Sequence, residues 1–307
     1  MGRYTLPMTG LLVLLAIALT LGIAILTTLI VVEARRPPRH TAGYAVAKGL
    51  PCDPGEMGLA FEAWELDLPG GASLPVWEIP GESPPGGTAN SNITAILIHG
   101  WGRSRIDTLR RIELFRAICN RVVLYDLRGH GESEGSLSML GAGEHQDLIA
   151  LVERLGEDRF LFVGHSLGAM IAINAATSDV DIAPRIAGII TYGLHMGFHS
   201  SLQQRLRTTG YPARPLTDLA MLWFRLMGIR HRNLWTDIKL LNCPLLIVHG
   251  TDDVIAPYDD AVKVAREVSN ATLHTVQGAG HLDTHLVDEE AHNAVVSDFV
   301  EGLEQSH

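Results

Sequence analysis

A short apolar stretch ending in Gly164-His165-Ser166-Leu167-Gly168 constrains this chain more than any other part of it. Residues 160–163, Phe-Leu-Phe-Val, have the length and the aromatic or β-branched character of a buried strand. Residues 169–176 are rich in small residues and read as a helix. Strand, sharp turn and helix around G-x-S-x-G predict a nucleophile elbow, a strained bend that leaves the serine hydroxyl exposed. Gly164 and Gly168 lack a Cβ, so strand and helix can close on each other while Ser166 is pushed into the turn. The pentapeptide alone is a weak signal in a chain with 31 glycines, so its surroundings must decide its meaning.

Those surroundings begin with an uncharged apolar run over residues 10–32, long enough to cross a bilayer as a helix. A cleaved signal peptide has a shorter apolar region and a small-residue cleavage site, whereas this run ends in Glu33-Ala34-Arg35-Arg36-Pro37-Pro38-Arg39. A buried core helix is disfavoured by the uninterrupted length. The run therefore predicts an uncleaved membrane anchor. Arg3 flanks one side and Arg35, Arg36 and Arg39 the other, which favours a cytoplasmic catalytic domain. The formal charge of −10, without a basic block in the folded part, excludes nucleic acid as the expected partner. Cys52, Cys119 and Cys243 have neither disulfide-framework nor zinc-site spacing.

Residues 36–58, rich in Pro and Gly, read as a linker. Residues 61–68 and 74–79 read as strands joined at Pro69-Gly70-Gly71, and residues 81–92 as a polar loop. Buried strands are expected at 95–98, 122–125, 186–192, 245–248 and 272–276, with helical periodicity over 108–118, 258–268 and about 288–303. Strands alternating with helices imply a mostly parallel sheet covered on both faces. The expected division is an anchor at 1–35, a linker at 36–58 and a catalytic domain at 59–307. On this view anchor and domain are separable, and removing the first 35 or so residues gives a soluble protein.

A serine hydroxyl needs a base, and the base needs a third group to orient it. In elbow folds the chain order is Ser, then Asp or Glu, then His, and the reacting groups sit beyond the carboxyl ends of the strands. After Ser166, residues 245–248 run into His249-Gly250-Thr251-Asp252-Asp253. Residues 272–276 run into Gln277-Gly278-Ala279-Gly280-His281. Both a carboxylate and a histidine are thus delivered to the sheet edge that holds the serine. The main-chain N–H of Leu167, directly after the nucleophile, is the expected first donor to an oxyanion.

Taken together, His99-Gly-Trp-Gly, Asp126-Leu-Arg-Gly-His-Gly-Glu-Ser, Gly164-His-Ser-Leu-Gly, Gly250-Thr-Asp-Asp and Gly280-His281 make the chain resemble the α/β-hydrolase-fold serine hydrolases. The resemblance covers about residues 61–303. It implies an α/β-hydrolase fold, expected here with a short cap and preceded by the one transmembrane helix that the apolar run predicts. It also implies catalysis by Ser166, Asp253 and His281, Asp253 being preferred to Asp252 because the acid lies three residues after the strand-end glycine. Trp101 would supply the second oxyanion N–H. His130 and His165 fall inside motifs and are expected to be structural neighbours of the site. Asp126 is expected to have a structural hydrogen-bonding role beside Arg128. No cofactor is implied.

Two histidine pairs, His195/His199 and His281/His285, have the spacing of ligands on one helical face, but neither forms H-E-x-x-H, so no metal is expected. Residues 194–241, about the extent of the cap, are longer than one crossover helix needs. Their apolar side chains either line an acyl pocket, with Met196, Met221, Trp223 and Phe224 touching substrate, or simply pack helices onto the sheet. The expected activity is hydrolysis of a small-molecule or lipid ester or thioester at the membrane. A peptidase of the same fold and a non-catalytic binding protein are the alternatives. The anchor branch looks similar to monoacylglycerol-lipase-like and acyl-protein-thioesterase-like members.

Overall fold

The computed structural model describes residues 8–82, 92–134, 137–156 and 158–305. Arg3, on which the orientation argument leans, and most of the expected loop at 81–92 lie outside them. Eight strands form one sheet: β1 (Glu62–Asp67), β2 (Ser73–Pro80), β3 (Ile93–Ile98), β4 (Arg121–Tyr125), β5 (Arg159–His165), β6 (Ile186–Tyr192), β7 (Leu245–Gly250) and β8 (Ala271–Val276). Their spatial order is β1-β2-β4-β3-β5-β6-β7-β8. β1 pairs with β2 and β2 with β4 antiparallel, and every later pairing is parallel. This is the α/β-hydrolase sheet the motifs imply.

The parallel strands are continuous apolar runs because helices cover both faces. β3, β6 and β7 are buried at every residue. Helices Glu144–Leu155, Leu167–Ser178 and Tyr258–Glu267 supply Leu148, Ala169 and Ala261 to the core on one face. Helices Ile112–Ile118 and Glu289–Gln305 supply Phe115 and Val296 on the other. Gly164 of β5 is flush with Ile98 of β3 and with Thr191 of β6. One row of strand ends therefore presents its loops on a common edge.

A buried ion pair ties two of those loops together. Arg105 Nη1 lies 2.6 Å from Asp126 Oδ2, and both side chains are almost fully buried. Asp126 also accepts the main-chain N–H groups of Arg105 and Glu132. Burial raises the Asp126 pKa, and the Arg105 charge opposes that shift. The partner expected from motif proximity, Arg128, instead forks onto Asp147. Arg105→Ala leaves the Asp126 carboxylate buried without its counter-charge. It should lower the unfolding free energy by about 3–5 kcal/mol, read as a shift of the urea midpoint.

The segments expected as linker and anchor both touch the rest of the chain. Residues 36–58 lie against the domain rather than hanging free: Arg39 donates to the Ser133 carbonyl at 2.7 Å, His40 meets Asp107 at 2.9 Å, and Ala45, in helix Ala42–Lys48, is fully buried. Pro and Gly signal irregular backbone; they do not forbid docking. The N-terminal helix, Met8–Arg35, is long and apolar enough to cross a membrane. Its buried residues, Thr27, Val31 and Ala34, follow helical spacing at its C-terminal end. Val31 and Ala34 pack with Leu216, Ala220 and Phe224 of the cap helix Ala213–Leu226. The last carbonyls of a helix have no partner within it. Here Trp101 Nε1 donates to the Ala34 carbonyl at 2.8 Å, and the Ser138 N–H donates to the Arg35 carbonyl at 3.0 Å. The N-terminal helix and the domain share a core, so cutting at residue 35 removes part of the folded unit.

Candidate active site

Ser166 sits between β5 and helix Leu167–Ser178 with φ 53° and ψ −109°, a backbone conformation that side chains rarely adopt. The turn is held from below, where the Ser166 N–H donates to the Tyr192 carbonyl at 2.8 Å, and from the helix side, where Ala169 N–H returns to the Ser166 carbonyl at 3.0 Å. The flanking glycines are sterically required. A Cβ on Gly164 would lie 2.5 Å from the Gly168 carbonyl oxygen, and one on Gly168 would overlap the Ile98 carbonyl oxygen. The strain is thus imposed by strand and helix packing at a distance no side chain could share.

His99-Gly-Trp-Gly follows β3 and runs beside this turn. A Cβ on Gly100 would stand 2.8 Å from His165 Nδ1 and 3.4 Å from Ser166 Cβ. His99 fixes the loop: its Nε2 accepts the Leu127 N–H at 3.0 Å while Nδ1 faces the Gly100 carbonyl at 2.9 Å. Burial lowers the His99 pKa, so the neutral ring is available as acceptor. Among the described residues, neither the Trp101 nor the Leu167 main-chain N–H has a main-chain acceptor. Both residues line the cavity that Ser166 lines.

Of the two adjacent acids after β7, Asp253 is the one that meets a histidine. Its Oδ2 is 2.7 Å from His281 Nδ1, and its Oδ1 accepts the N–H groups of Ile255 and Ala256 at 2.9 and 2.8 Å. Burial by itself would raise this carboxyl's pKa. The His281 hydrogen bond and charge, with the two amides, outweigh burial and hold it below the usual value. Asp252 is exposed, and among the described residues its carboxylate accepts only from Thr251. His281 in turn lines the cavity with Ser166. Its carbonyl accepts a bond from His165 Nε2 at 2.8 Å. His165 is held neutral, its pKa driven well down by burial and then by the neighbouring His281 charge. His130 bonds the Arg128 carbonyl and packs edge-on against His99.

The cavity above Ser166 has a volume of about 690 Å³, within the range of small-molecule sites. Its cap wall is not the expected one. Met196 is buried in the main core, and Phe224 is buried in the cluster that meets the N-terminal helix. Met221 packs against that same cluster, and Trp223 is 38% exposed. None of the four lines the cavity. Helix Phe198–Thr208 does so instead, through Phe198, Leu202, Arg205 and Leu206. Size and apolarity do not say which helix face turns inward; Leu216, Ala220 and Phe224 are one stripe, and it faces the N-terminal helix. Phe224 supports the wall indirectly, edge-on to Phe198 at 5.7 Å.

Sequence reasoning missed Glu33 and Arg205. The Arg205 guanidinium lies 3.9 Å over the Trp101 ring, and Glu33 lines the cavity beside it. Burial lowers the Arg205 pKa, and the Glu33 charge opposes that shift. The histidine pairs do other work: His199 faces Asp218 at 3.1 Å, and burial takes the His195 pKa down to about 4.

The family model described as "Alpha/beta hydrolase family" matches residues 95–298. A putative carbamate hydrolase, RutD, from Caulobacter sp. (strain K31) is 25% identical over 254 residues, covering 71% of this chain and 94% of its own. The mitochondrial palmitoyl-protein thioesterase ABHD10 of Rattus norvegicus is 25% identical over 182 residues, covering 53% of this chain and 59% of its own. Among solved structures, the Pyrococcus furiosus esterase Pf2001 superposes with a TM-score of 0.68 at 20% identity, over 89% of this chain and 99% of that one. At that identity the superposition speaks to the fold alone.

Proposed function

The chain belongs to the α/β-hydrolase family, and from that premise we propose that it is a serine hydrolase that cleaves carboxylic esters or thioesters of lipophilic acyl groups. One observation carries the proposal: a strained serine shares a cavity with a histidine whose far nitrogen is bonded to a buried carboxylate. Ser166 Oγ attacks the acyl carbon and His281 Nε2 takes its proton, while Asp253 holds the ring in the tautomer that leaves Nε2 free to accept. The carbonyl oxygen becomes an oxyanion between the main-chain N–H groups of Leu167 and Trp101. His281 then returns the proton to the departing alcohol or thiol. Water repeats the sequence on the acyl-enzyme, releasing the acid and restoring Ser166.

The acyl preference rests on the apolar side chains around Ser166, among them Phe198, Leu202 and Leu206, and on a relative named as a palmitoyl-protein thioesterase. The apolar helix Met8–Arg35 would serve as a membrane anchor with the domain on the cytoplasmic side. A fluorophosphonate probe on the purified full-length protein tests the chemistry. Covalent labelling that a competing acyl ester slows is the expected result; absence of labelling alongside an intact fold would overturn it.

A further inference from the structure

One wall of the cavity belongs to the N-terminal helix, through Leu26, Leu29, Ile30, Glu33 and Ala34. At 1.5 Å per residue, Leu26 to Ala34 is about 12 Å of wall. It is graded: Leu26, Leu29 and Ile30 are apolar, and the turn beyond carries Glu33 near Arg205 and the clamped Ala34 carbonyl. The apolar end is continuous with bare helix. Leu21, Ile25 and Leu29 recur every fourth residue, 58%, 59% and 58% exposed, so one uncovered stripe leads into the cavity.

Length adds an independent argument. A helix of 28 residues spans about 42 Å, whereas a bilayer's hydrocarbon core takes about 20 residues. The surplus turns must project beyond that core, and Thr27, Val31 and Ala34, all at this end, are the buried residues of the helix. The cavity mouth therefore falls where bare helix gives way to helix packed on protein.

We propose that the last turns of helix Met8–Arg35 are the acyl-binding wall of the catalytic cavity. The substrate is then an ester or thioester of one medium-to-long acyl chain, its tail against Leu26, Leu29 and Ile30, entering along the helix and not from bulk water. The inference rests on the serine-hydrolase reading and names the substrate class for that same site.

The test uses full-length protein in detergent micelles and compares kcat/KM for p-nitrophenyl laurate and p-nitrophenyl butyrate. Leu29→Trp fills the wall and should lower the laurate-to-butyrate ratio tenfold or more, since each excluded methylene removes about fourfold in binding. Leu29→Ala enlarges the wall and should move the preferred acyl length upward. Leu19→Trp, at a 67% exposed position outside the cavity, should leave the ratio where it is in the wild type. Wild-type ratios in both Leu29 variants, with fluorophosphonate labelling retained, would overturn the inference while sparing the serine mechanism. So would an equal fall in the Leu19 variant, which would trace the effect to the micelle. Loss of labelling in the wild type removes the parent reading instead, and if Leu29→Trp alone fails to label, Leu29→Ala decides.

Discussion

The Ser166→Ala protein is expected to fold as the wild type does and to lose hydrolysis of a p-nitrophenyl ester by about 10⁵–10⁶-fold. Alanine keeps the Cβ, so the φ of 53° and the contacts of the bend are unchanged. What disappears is the hydroxyl that would form the acyl-enzyme. The proposed oxyanion donors and the cavity remain, so a small residual rate over water should persist. Fluorophosphonate labelling should vanish in parallel. Turnover at the wild-type rate in this variant would sink the covalent mechanism.

Asp253→Asn should lower kcat by about 10⁴-fold, with Asp252→Asn within a few-fold of the wild type. The geometry explains why an isosteric amide is so damaging. The N–H groups of Ile255 and Ala256 point at Oδ1, so the amide must place its oxygen there. Its NH₂ then faces His281 Nδ1, where the carboxylate stood at 2.7 Å. A donor at that point forces the proton of His281 onto Nε2, the nitrogen proposed to accept from Ser166. Steady-state kcat values for the two variants decide the matter; the reverse ranking would mean that the acid has been misassigned.

The sheet was legible because its signals are local. Residues 186–192 and 245–248 are unbroken apolar runs, and the strands found there match within a residue or two. The glycine turns after β5, β7 and β8 likewise announce themselves, and the structure brings Ser166, Asp253 and His281 to one sheet edge. The cap wall was not legible. Choosing Met221, Trp223 and Phe224 over Phe198 and Leu202 required knowing which face of which helix turns inward, and that depends on the N-terminal helix. That helix is apolar on all sides, so its sequence carries no stripe to mark the residues that meet protein. Arg105 was missed as the partner of Asp126 for a related reason: the pair spans 21 positions, and only the parallel β3–β4 register brings it together.

The bend at Ser166 has a consequence for how this protein could change over generations. A positive φ at a residue with a side chain costs on the order of 1–3 kcal/mol, and with ψ at −109° the bend is one glycine adopts freely. Ser166→Gly would lose roughly 0.5–1 kcal/mol through the freer unfolded chain, less than most of the strain it relieves. The glycine variant should therefore melt higher than the wild type, a difference that calorimetry can read. On the proposed mechanism, drift toward stability at this position runs toward silence, and only a continuing demand for turnover keeps the serine in place.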